Sequence, residues 1–187
     1  MRIAVSGTHR TGKSTLVEDI AAVLPGHATV AEPYHLLEDE GYEFPETPSL
    51  EDYQRQLERS LESMREVRRD AVFERCPADF LAYVMCLPDA EAFDPEDWVD
   101  PIREALETLD LVVFVPVEER DRIPLPAEED RGYRFRVGEK LSDILTGGWF
   151  GFDVEVLEVS GNRRQRLDQV LRWVRDRHDP EPKAIRA

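Results

Sequence analysis

The sequence predicts a three-layer α/β fold, in which a parallel sheet of five strands lies between two layers of helices. Five short apolar runs begin near residues 2, 28, 71, 111 and 154, and helical stretches separate and follow them. This alternation is typical of parallel strands that are joined by right-handed helical crossovers. The run 111–115 is continuously apolar and rich in valine, which favours a central strand covered on both faces.

The first crossover contains a helix over residues 14–24, which is predicted to end at a Pro-Gly pair before a second strand at 28–31. Residues 35–48 are acidic, aromatic and proline-bearing, and they show no clear period. A connection of this length in a compact domain is often a functional loop. We therefore expect a long loop, or a loop with a helical turn, that covers a cleft.

A long helix is predicted to begin at Ser49, because Asp52 follows three residues later in the position of a capping box. Apolar residues then recur at steps of three and four, which indicates one buried helical face. This face contains Tyr53, Leu57, Leu61, Met64, Val67 and Ala71. A third strand is expected at 71–73, and Pro77 suits the first turn of the next helix.

The second half of the chain continues the alternation. A helix is predicted after Asp94, another over residues 134–145, and a fifth strand at 154–159 before the last helix. No repeat or linker divides the chain, so we expect a single domain over residues 1–178. The proline-bearing residues 179–187 are expected to form a loose C-terminal tail.

The formal charge of −16 disfavours a nucleic-acid partner, because binding to a phosphate backbone relies on basic surface. No apolar run approaches the roughly 20 residues that span a bilayer, and the first apolar run is already a core strand. We therefore expect no membrane segment and no signal peptide. Cys76 and Cys86 form no C-x-x-C pair, which fits a reducing, cytoplasmic compartment. The sequence leaves a homodimer open.

Residues 7–14 have the pattern G-x-x-x-x-G-K-S of a phosphate-binding P-loop, or Walker A motif, between the first strand and the first helix. In this context the loop amides and the helix N-terminus point at phosphate. Lys13 is expected to reach the β- and γ-phosphates of ATP, and the Ser14 hydroxyl is expected to ligate Mg²⁺. The predicted nucleotide-binding residues are Gly7, Thr8, His9, Arg10, Thr11, Gly12, Lys13, Ser14 and Thr15. Two of them, His9 and Arg10, occupy variable positions and have no assigned role.

The carboxyl ends of parallel strands meet at one edge of a sheet, and α/β folds bind their ligands beyond that edge. Residues that follow the predicted strands should therefore lie near the P-loop. Outside the loop itself these residues are Glu32, Glu74, Arg75, Arg120, Arg122, Gly161 and Asn162. Candidate aromatic residues for an acceptor pocket are Tyr34, Tyr42, Phe44, Tyr53, Tyr83 and Trp98.

The P-loop, Glu32-Pro33 after the second strand and Glu74-Arg75 after the third together resemble the nucleoside and nucleotide kinase branch of the P-loop NTPases. Deoxyribonucleoside kinases carry Glu-Pro and Glu-Arg-Ser at these points, and thymidylate kinases carry Asp-Arg at the second. This chain has a cysteine in place of the serine. The run 74–83 also resembles bacterial single-domain AAA-type ATPase or kinase proteins. The resemblance implies a P-loop NTPase fold with a mobile lid.

The same resemblance implies roles for three residues. Glu32 would accept the proton of the acceptor hydroxyl, or orient that hydroxyl. Glu74 would lie near Mg²⁺, with Glu118 after the fourth strand as the alternative carboxylate. Arg75 would neutralise the transferring phosphoryl group or hold the acceptor oxygen, unless it forms a structural ion pair.

Arg120 and Arg122 lie where the family has lid arginines, which close over the phosphates. The competing arginines are Arg131, Arg134 and Arg136. Gly161 and Asn162 lie where such kinases line the adenine pocket. Asn162 followed by Gln165 is also the pattern of a helix N-cap, so both interpretations of Asn162 stand at this point.

The sequence therefore predicts an ATP- and Mg²⁺-dependent phosphotransferase that moves a γ-phosphoryl group to a small-molecule acceptor, such as a nucleoside, a nucleotide or a related metabolite. The first alternative is a regulatory NTP-binding switch ATPase, which would hydrolyse ATP without an acceptor. A kinase for nucleic-acid ends is a second alternative, which the negative charge disfavours. The motifs specify neither the acceptor nor the choice between ATP and GTP.

Overall fold

In the computed structural model, which describes residues 1–118, 130–148 and 150–178, five parallel strands form one sheet. The strands are β1 (Arg2–Ser6), β2 (Ala28–Val30), β3 (Ala71–Glu74), β4 (Leu111–Phe114) and β5 (Val156–Glu158). The helices are α1 (Lys13–Val23), α2 (Pro33–Asp39), α3 (Leu50–Glu66), α4 (Pro77–Met85), α5 (Glu96–Leu106), α6 (Arg131–Thr146) and α7 (Arg163–His178), and a 3₁₀ turn covers Ala90–Ala92. The strand order is β2-β3-β1-β4-β5, so the first strand of the chain lies at the centre of the sheet.

The register of the central strands determines where the P-loop emerges. In β1, Val5 lies opposite Glu74 of β3, and Ser6 lies opposite Phe114 of β4. The loop after β1 therefore leaves the sheet between the carboxyl ends of β3 and β4. Because β2 pairs with β3, the segment that follows β2 reaches the same edge on the β3 side.

Two hydrophobic cores, one on each face of the sheet, explain the continuous apolar runs of the central strands. Ala4 of β1 belongs to the core that includes Leu57 of α3 and residues of α4, α5 and α6. Its neighbour Val5 belongs to the core that includes Ile20 of α1 and residues of α7. Successive strand residues point to opposite faces, so both must be apolar when both faces are covered. The predicted three-layer α/β fold is confirmed.

The starts of α3 and α2 show how far local sequence signals predict where a helix begins. Ser49 caps α3 as predicted: its hydroxyl accepts a hydrogen bond from Asp52 N, and the Asp52 carboxylate accepts from Ser49 N. Of the two alternatives for 35–48, a long loop or a loop with a helical turn, the structure favours the second, because helix α2 (Pro33–Asp39) occupies its first part. Proline at the first helical position, with its φ already set, starts this helix directly after Glu32.

Two further boundaries differ from the predicted ones. Helix α6 begins at Arg131 rather than at 134, because the Asp130 carboxylate caps it by accepting a hydrogen bond from Tyr133 N at 3.0 Å. Strand β5 is shorter than the expected 154–159. It lies at the edge of the sheet, and its residues Val156 to Glu158 pair with Val112 to Phe114 of β4.

Some predictions fall outside the described ranges. Arg120 and Arg122, with the lid expected around them, lie in 119–129, and the expected tail 179–187 also lies outside. The domain boundary at residue 178 and the homodimer stay predictions. None of the helices in the described ranges is long and apolar enough to cross a membrane.

Candidate active site

The glycines of the P-loop have a structural reason to be glycine. Gly7 adopts φ 146°, and a Cβ atom at this position would lie 2.4 Å from Val115 O. Gly12, directly before α1, adopts φ 89°. Residues other than glycine rarely adopt a positive φ, and at Gly7 there is also no room for a Cβ atom. The loop therefore wraps tightly from β1 into the N-terminus of α1, as phosphate binding requires.

Lys13 is buried at the centre of this loop, with 4% of its side chain exposed. Its Nζ atom donates a hydrogen bond to Thr8 O at 2.8 Å. Burial, and then the nearby Arg75, lower the pKa of Lys13 to about 8, although Glu32 and other carboxylates act in the opposite direction. The ammonium group is charged at neutral pH and carries an unfavourable desolvation that a bound anion would offset.

The Ser14 hydroxyl donates a hydrogen bond to Glu74 Oε1 at 2.6 Å, which joins the start of α1 to the end of β3. A hydroxyl and a carboxylate are hard oxygen ligands, and Mg²⁺ prefers such ligands together with phosphate oxygens. The donor set at this position therefore fits Mg²⁺. Glu118, the alternative carboxylate, instead accepts hydrogen bonds from Gly161 N at 2.8 Å and Arg166 Nη2 at 2.9 Å.

Arg75 connects three elements at the sheet edge. Its backbone adopts the left-handed φ of 74°, which is uncommon for a residue other than glycine. The guanidinium donates from Nε to Glu32 Oε1 at 2.5 Å and from Nη1 to Gly7 O at 2.8 Å. It also donates to Asp79 Oδ1 at 3.2 Å. Arg75 thus holds the end of β2 and the first peptide of the P-loop together, while only 5% of its side chain is exposed.

Asp79 is fully buried and was not assigned a role from the sequence. Its Oδ1 atom accepts a hydrogen bond from Gly7 N at 3.0 Å, and its Oδ2 atom accepts from Cys76 N at 3.0 Å. With Arg75 on the carbonyl of Gly7, both polar groups of this glycine are held by side chains. The available signal was the position of Asp79 three residues after the N-cap of α4, which is the acidic half of a capping box.

Burial and the neighbouring charges determine the ionisation of Glu32 and His9. Burial raises the pKa of Glu32, but Arg75 and Lys13 outweigh it, so the pKa is lowered and the carboxylate is ionised at neutral pH. Burial, and then Arg75, lower the pKa of His9 to about 4, so its imidazole is neutral. Glu32 therefore combines an ionised oxygen with a fixed orientation.

A cavity of about 140 Å³ lies on the α3 and α4 side of the P-loop, and Glu32 and Arg75 form part of its wall. The other walls include the rings of Tyr34, Tyr53, Phe80 and Tyr83 and the amide of Gln56. Three of the aromatic candidates for an acceptor pocket, Tyr34, Tyr53 and Tyr83, are therefore at this cavity. Phe44 stacks behind Tyr34 at 4.2 Å between ring centroids, whereas Trp98 stacks on Phe93 outside the cavity.

A second cavity, of about 160 Å³, lies between α1 and α7 on the other face of the sheet. Thr15 and Gly12 contribute to it from the P-loop side, and Arg163 contributes from α7. Both oxygens of Asp19 accept hydrogen bonds from Arg163, at 2.8 and 2.6 Å. The P-loop therefore has a cavity on each side, and the two share no lining residue.

The predicted adenine-side residues do not line that second cavity. Asn162 Oδ1 accepts a hydrogen bond from Gln165 N at 3.0 Å, and Gln165 Oε1 accepts from Asn162 N at 2.8 Å. Asn162 therefore forms the N-cap that the sequence also allowed. Gly161 donates its amide to Glu118. A contact between these residues and adenine stays a prediction.

Two buried arginines from distant helices hold carbonyl groups of the P-loop. Arg134 of α6 donates from Nε to His9 O at 3.1 Å, and Arg166 of α7 donates from Nη1 to Thr11 O at 2.5 Å. Sequence reasoning missed Arg166 and treated Arg134 only as a lid candidate. The chain has 24 lysines and arginines, and nothing in the local sequence distinguishes these two from surface arginines.

A P-loop after the central strand, with two cavities beside it, defines a nucleotide-binding protein of the P-loop α/β class. The chain belongs to the AAA domain family, whose model matches residues 2–166. No curated protein sequence matches it.

Solved structures establish the fold independently. The chain is similar to thymidylate kinase from Ehrlichia chaffeensis, with a TM-score of 0.66, 13% identity, and 94% of this chain and 98% of that chain covered. It is similar to deoxyadenosine kinase from M. mycoides with bound dATP, with a TM-score of 0.63, 14% identity, and 94% and 99% covered. Shikimate kinase from Acinetobacter baumannii in complex with shikimate has a TM-score of 0.58 and 16% identity, with 97% and 95% covered. The predicted resemblance to the P-loop kinases is confirmed for the fold.

Proposed function

We propose that the protein is an ATP- and Mg²⁺-dependent phosphotransferase that moves the γ-phosphoryl group of ATP to a small-molecule acceptor of the nucleoside or nucleotide type. The fold that it shares with deoxyadenosine, thymidylate and shikimate kinases supports this proposal. Each of those kinases is named for a small-molecule acceptor. Sequence identities of 13 to 16% are too low to assign the same acceptor to this protein.

The observation that carries the proposal is the pair of separate cavities on the two sides of the P-loop. A switch ATPase requires a nucleotide site but no second site for an acceptor. The cavity on the α3 and α4 side is bounded by an ionised carboxylate, Glu32, which Arg75 holds beside the loop. In phosphoryl transfer to an alcohol, a carboxylate at this position can accept the hydroxyl proton or orient the hydroxyl.

On the donor side, the P-loop amides and Lys13 bind the β- and γ-phosphates, and the second cavity lies where the rest of the nucleotide can extend. Ser14 and Glu74 would hold Mg²⁺, which would supply positive charge to neutralise the phosphates. Arg120 and Arg122, outside the described ranges, remain our candidates for closing over the phosphates.

On the acceptor side, Glu32 takes the proton of the acceptor hydroxyl. Its ion pair with Arg75 fixes the carboxylate in one orientation and leaves its second oxygen, Oε2, to face the hydroxyl. The link from Arg75 to Gly7 O keeps this group at a constant position relative to the P-loop. Arg75 remains our candidate for contacting the transferring phosphoryl group.

The test is ADP formation from ATP and Mg²⁺ with and without acceptors, with the phosphorylated product identified by mass spectrometry. Lys13→Ala is expected to abolish transfer while the folded state persists. The matched control is Lys140→Ala, which removes a lysine of α6 that lines neither of the two cavities and should retain transfer. Full transfer by Lys13→Ala would contradict the proposal, and ATP hydrolysis that no acceptor stimulates would favour a switch ATPase.

A further inference from the structure

The described residues of the acceptor cavity offer little positive charge to receive an anion. Among the described residues that line it, Arg75 is the one permanent cation, and Glu32 is the one carboxylate. Arg75 is already paired with two carboxylates, Glu32 at 2.5 Å and Asp79 at 3.2 Å. His9 also contributes to the wall, but its imidazole is neutral because burial and Arg75 lower its pKa to about 4.

The polar groups that the cavity offers suit an uncharged ligand. Gln56 is 4% exposed, and its Nε2 atom donates to Asp52 O, whereas its amide oxygen accepts no hydrogen bond within the described part of the chain. The Nη2 atom of Arg75 likewise makes no hydrogen bond among the described residues. One acceptor and one donor therefore remain for a ligand with N–H and hydroxyl groups.

The remaining walls are mostly aromatic. Tyr53 and Tyr83 stack on each other at 5.0 Å between centroids with an interplanar angle of 12°, and Tyr34, Phe80 and Pro48 complete the lining. Flat aromatic walls favour a planar ring, because offset stacking and apolar contact both stabilise such a ligand.

We propose that the acceptor is an uncharged hydroxyl compound with a planar ring, the chemical class of a free nucleoside, rather than a nucleoside monophosphate or a carboxylic acid. This inference rests on the proposed function. The fold alone does not decide the matter, since the similar structures include kinases named for a nucleoside, a nucleotide and an acid.

The physical reason is the cost of a buried anion. A phosphate or carboxylate on the acceptor must be paired with a cation when it leaves water. In this cavity the guanidinium is shared between two carboxylates, and the ionised Glu32 would repel a further negative charge. An uncharged acceptor meets neither cost.

Apart from Mg²⁺, the proposed transfer needs only ATP, the acceptor hydroxyl and the Glu32 carboxylate. The hydroxyl oxygen of the acceptor forms a bond to the γ-phosphorus of ATP, and the bond from that phosphorus to the β–γ bridging oxygen breaks. The hydroxyl proton passes to the Glu32 carboxylate, and ADP leaves with the electron pair of the broken bond. The products are ADP and a phosphate monoester of the acceptor.

The experiment compares matched acceptors at a fixed concentration of ATP and Mg²⁺. The panel contains the common ribonucleosides and 2′-deoxyribonucleosides, the 5′-monophosphate of each, and shikimate as a carboxylic acid. We expect kcat/KM for the best nucleoside to exceed that for its monophosphate and for shikimate by at least ~100-fold, because like charges at a buried site strongly disfavour binding. Preferred transfer to a monophosphate would overturn the inference and leave the proposed function intact. Preferred transfer to shikimate would overturn both the inference and the acceptor type of the proposed function.

A binding measurement tests the charge argument without turnover. Glu32→Gln removes the repelling carboxylate, so the affinity for the monophosphate relative to the nucleoside should rise by about 10-fold in calorimetry. The matched control is Glu43→Gln, an exposed carboxylate outside the cavity, which should not change this ratio. ATP binding verifies that each variant is folded. An unchanged ratio in Glu32→Gln would overturn the inference, whereas no transfer to any compound by wild type that binds ATP would count against the proposed function itself.

Discussion

The Oε1 atom of Glu32 lies 2.5 Å from Nε of Arg75, so an ion pair joins the ends of β2 and β3 beside the P-loop. Through Nη1, the same guanidinium holds Gly7 O at 2.8 Å. The proposed base and the first residue of the phosphate-binding loop are thus connected through one side chain. A change in this ion pair should therefore affect transfer more than it affects nucleotide binding.

Glu32→Gln should lower kcat by roughly 100-fold or more, because a neutral amide cannot take the acceptor proton. The dissociation constant for ATP should change little, since the donor phosphates are held by the P-loop. Steady-state kinetics combined with calorimetry of ATP binding checks both statements, with Glu43→Gln as the exposed control. An unaltered kcat would remove Glu32 as the base.

Asp79→Asn should destabilise the protein by about 2–4 kcal/mol. The two oxygens of the carboxylate accept hydrogen bonds from Gly7 N, Cys76 N and Arg75 Nη1, whereas an amide has only one oxygen that can accept. Urea unfolding of the ligand-free protein measures this loss. Asp143→Asn, at an exposed position of α6, serves as the comparison and should remain near the wild-type value. Equal stability of the two variants would show that the Asp79 network is not a major part of the fold's stability.

Local signals explain which parts were predictable. The P-loop and the capping box at Ser49 are encoded within a few neighbouring residues, and both are found as expected. The sheet-edge rule also brought Glu32 and Arg75 to the same edge. The sequence left a structural ion pair of Arg75 open but did not predict its partner. The contact with Glu32 depends on β2 and β3 being neighbours and on the left-handed backbone of Arg75.

The missed contacts share a different cause. Arg134 and Arg166 bind P-loop carbonyls that are more than a hundred residues away in the chain. Such long-range pairings leave no period or spacing in the sequence, and arginine is abundant on the surface. Helix α2 is longer than the helical turn expected within 35–48, because Pro33 starts the helix before that stretch.

ATP affinity should fall as the pH rises through about 8, because burial and Arg75 lower the pKa of Lys13 to about 8. Above that pH the ligand-free protein has a neutral amine, and Glu32, Asp79 and Glu74 are the carboxylates that oppose its deprotonation. Dissociation constants measured from about pH 6.5 to about pH 9.5 should show this loss. Lys13→Ala should bind weakly at every pH, and a wild-type affinity that is flat across this range would contradict the assignment.

Lys13→Met should make the ligand-free protein more stable near neutral pH. The pKa of Lys13 falls from 10.5 to about 8 on folding, so the folded state disfavours the proton by on the order of 3 kcal/mol. The lost hydrogen bond to Thr8 O offsets about 1 kcal/mol of the gain.

The sign of the pH dependence follows from the same shift. Between pH 8 and 10.5 the unfolded chain holds a proton that the folded protein lacks, so the wild type should gain stability as the pH rises through this window. Denaturant unfolding at several pH values measures both effects. A lower stability of Lys13→Met at neutral pH would mean that Lys13 stabilises the empty loop.

The most direct test of phosphoryl transfer uses ATP labelled in its γ-phosphoryl group. Wild-type protein, Mg²⁺ and a nucleoside are incubated, and the label is measured in the acceptor and in inorganic phosphate. We predict that most of the label appears in a nucleoside monophosphate and that Lys13→Ala produces none. Label that appears only in inorganic phosphate, whatever the acceptor, would contradict the kinase function.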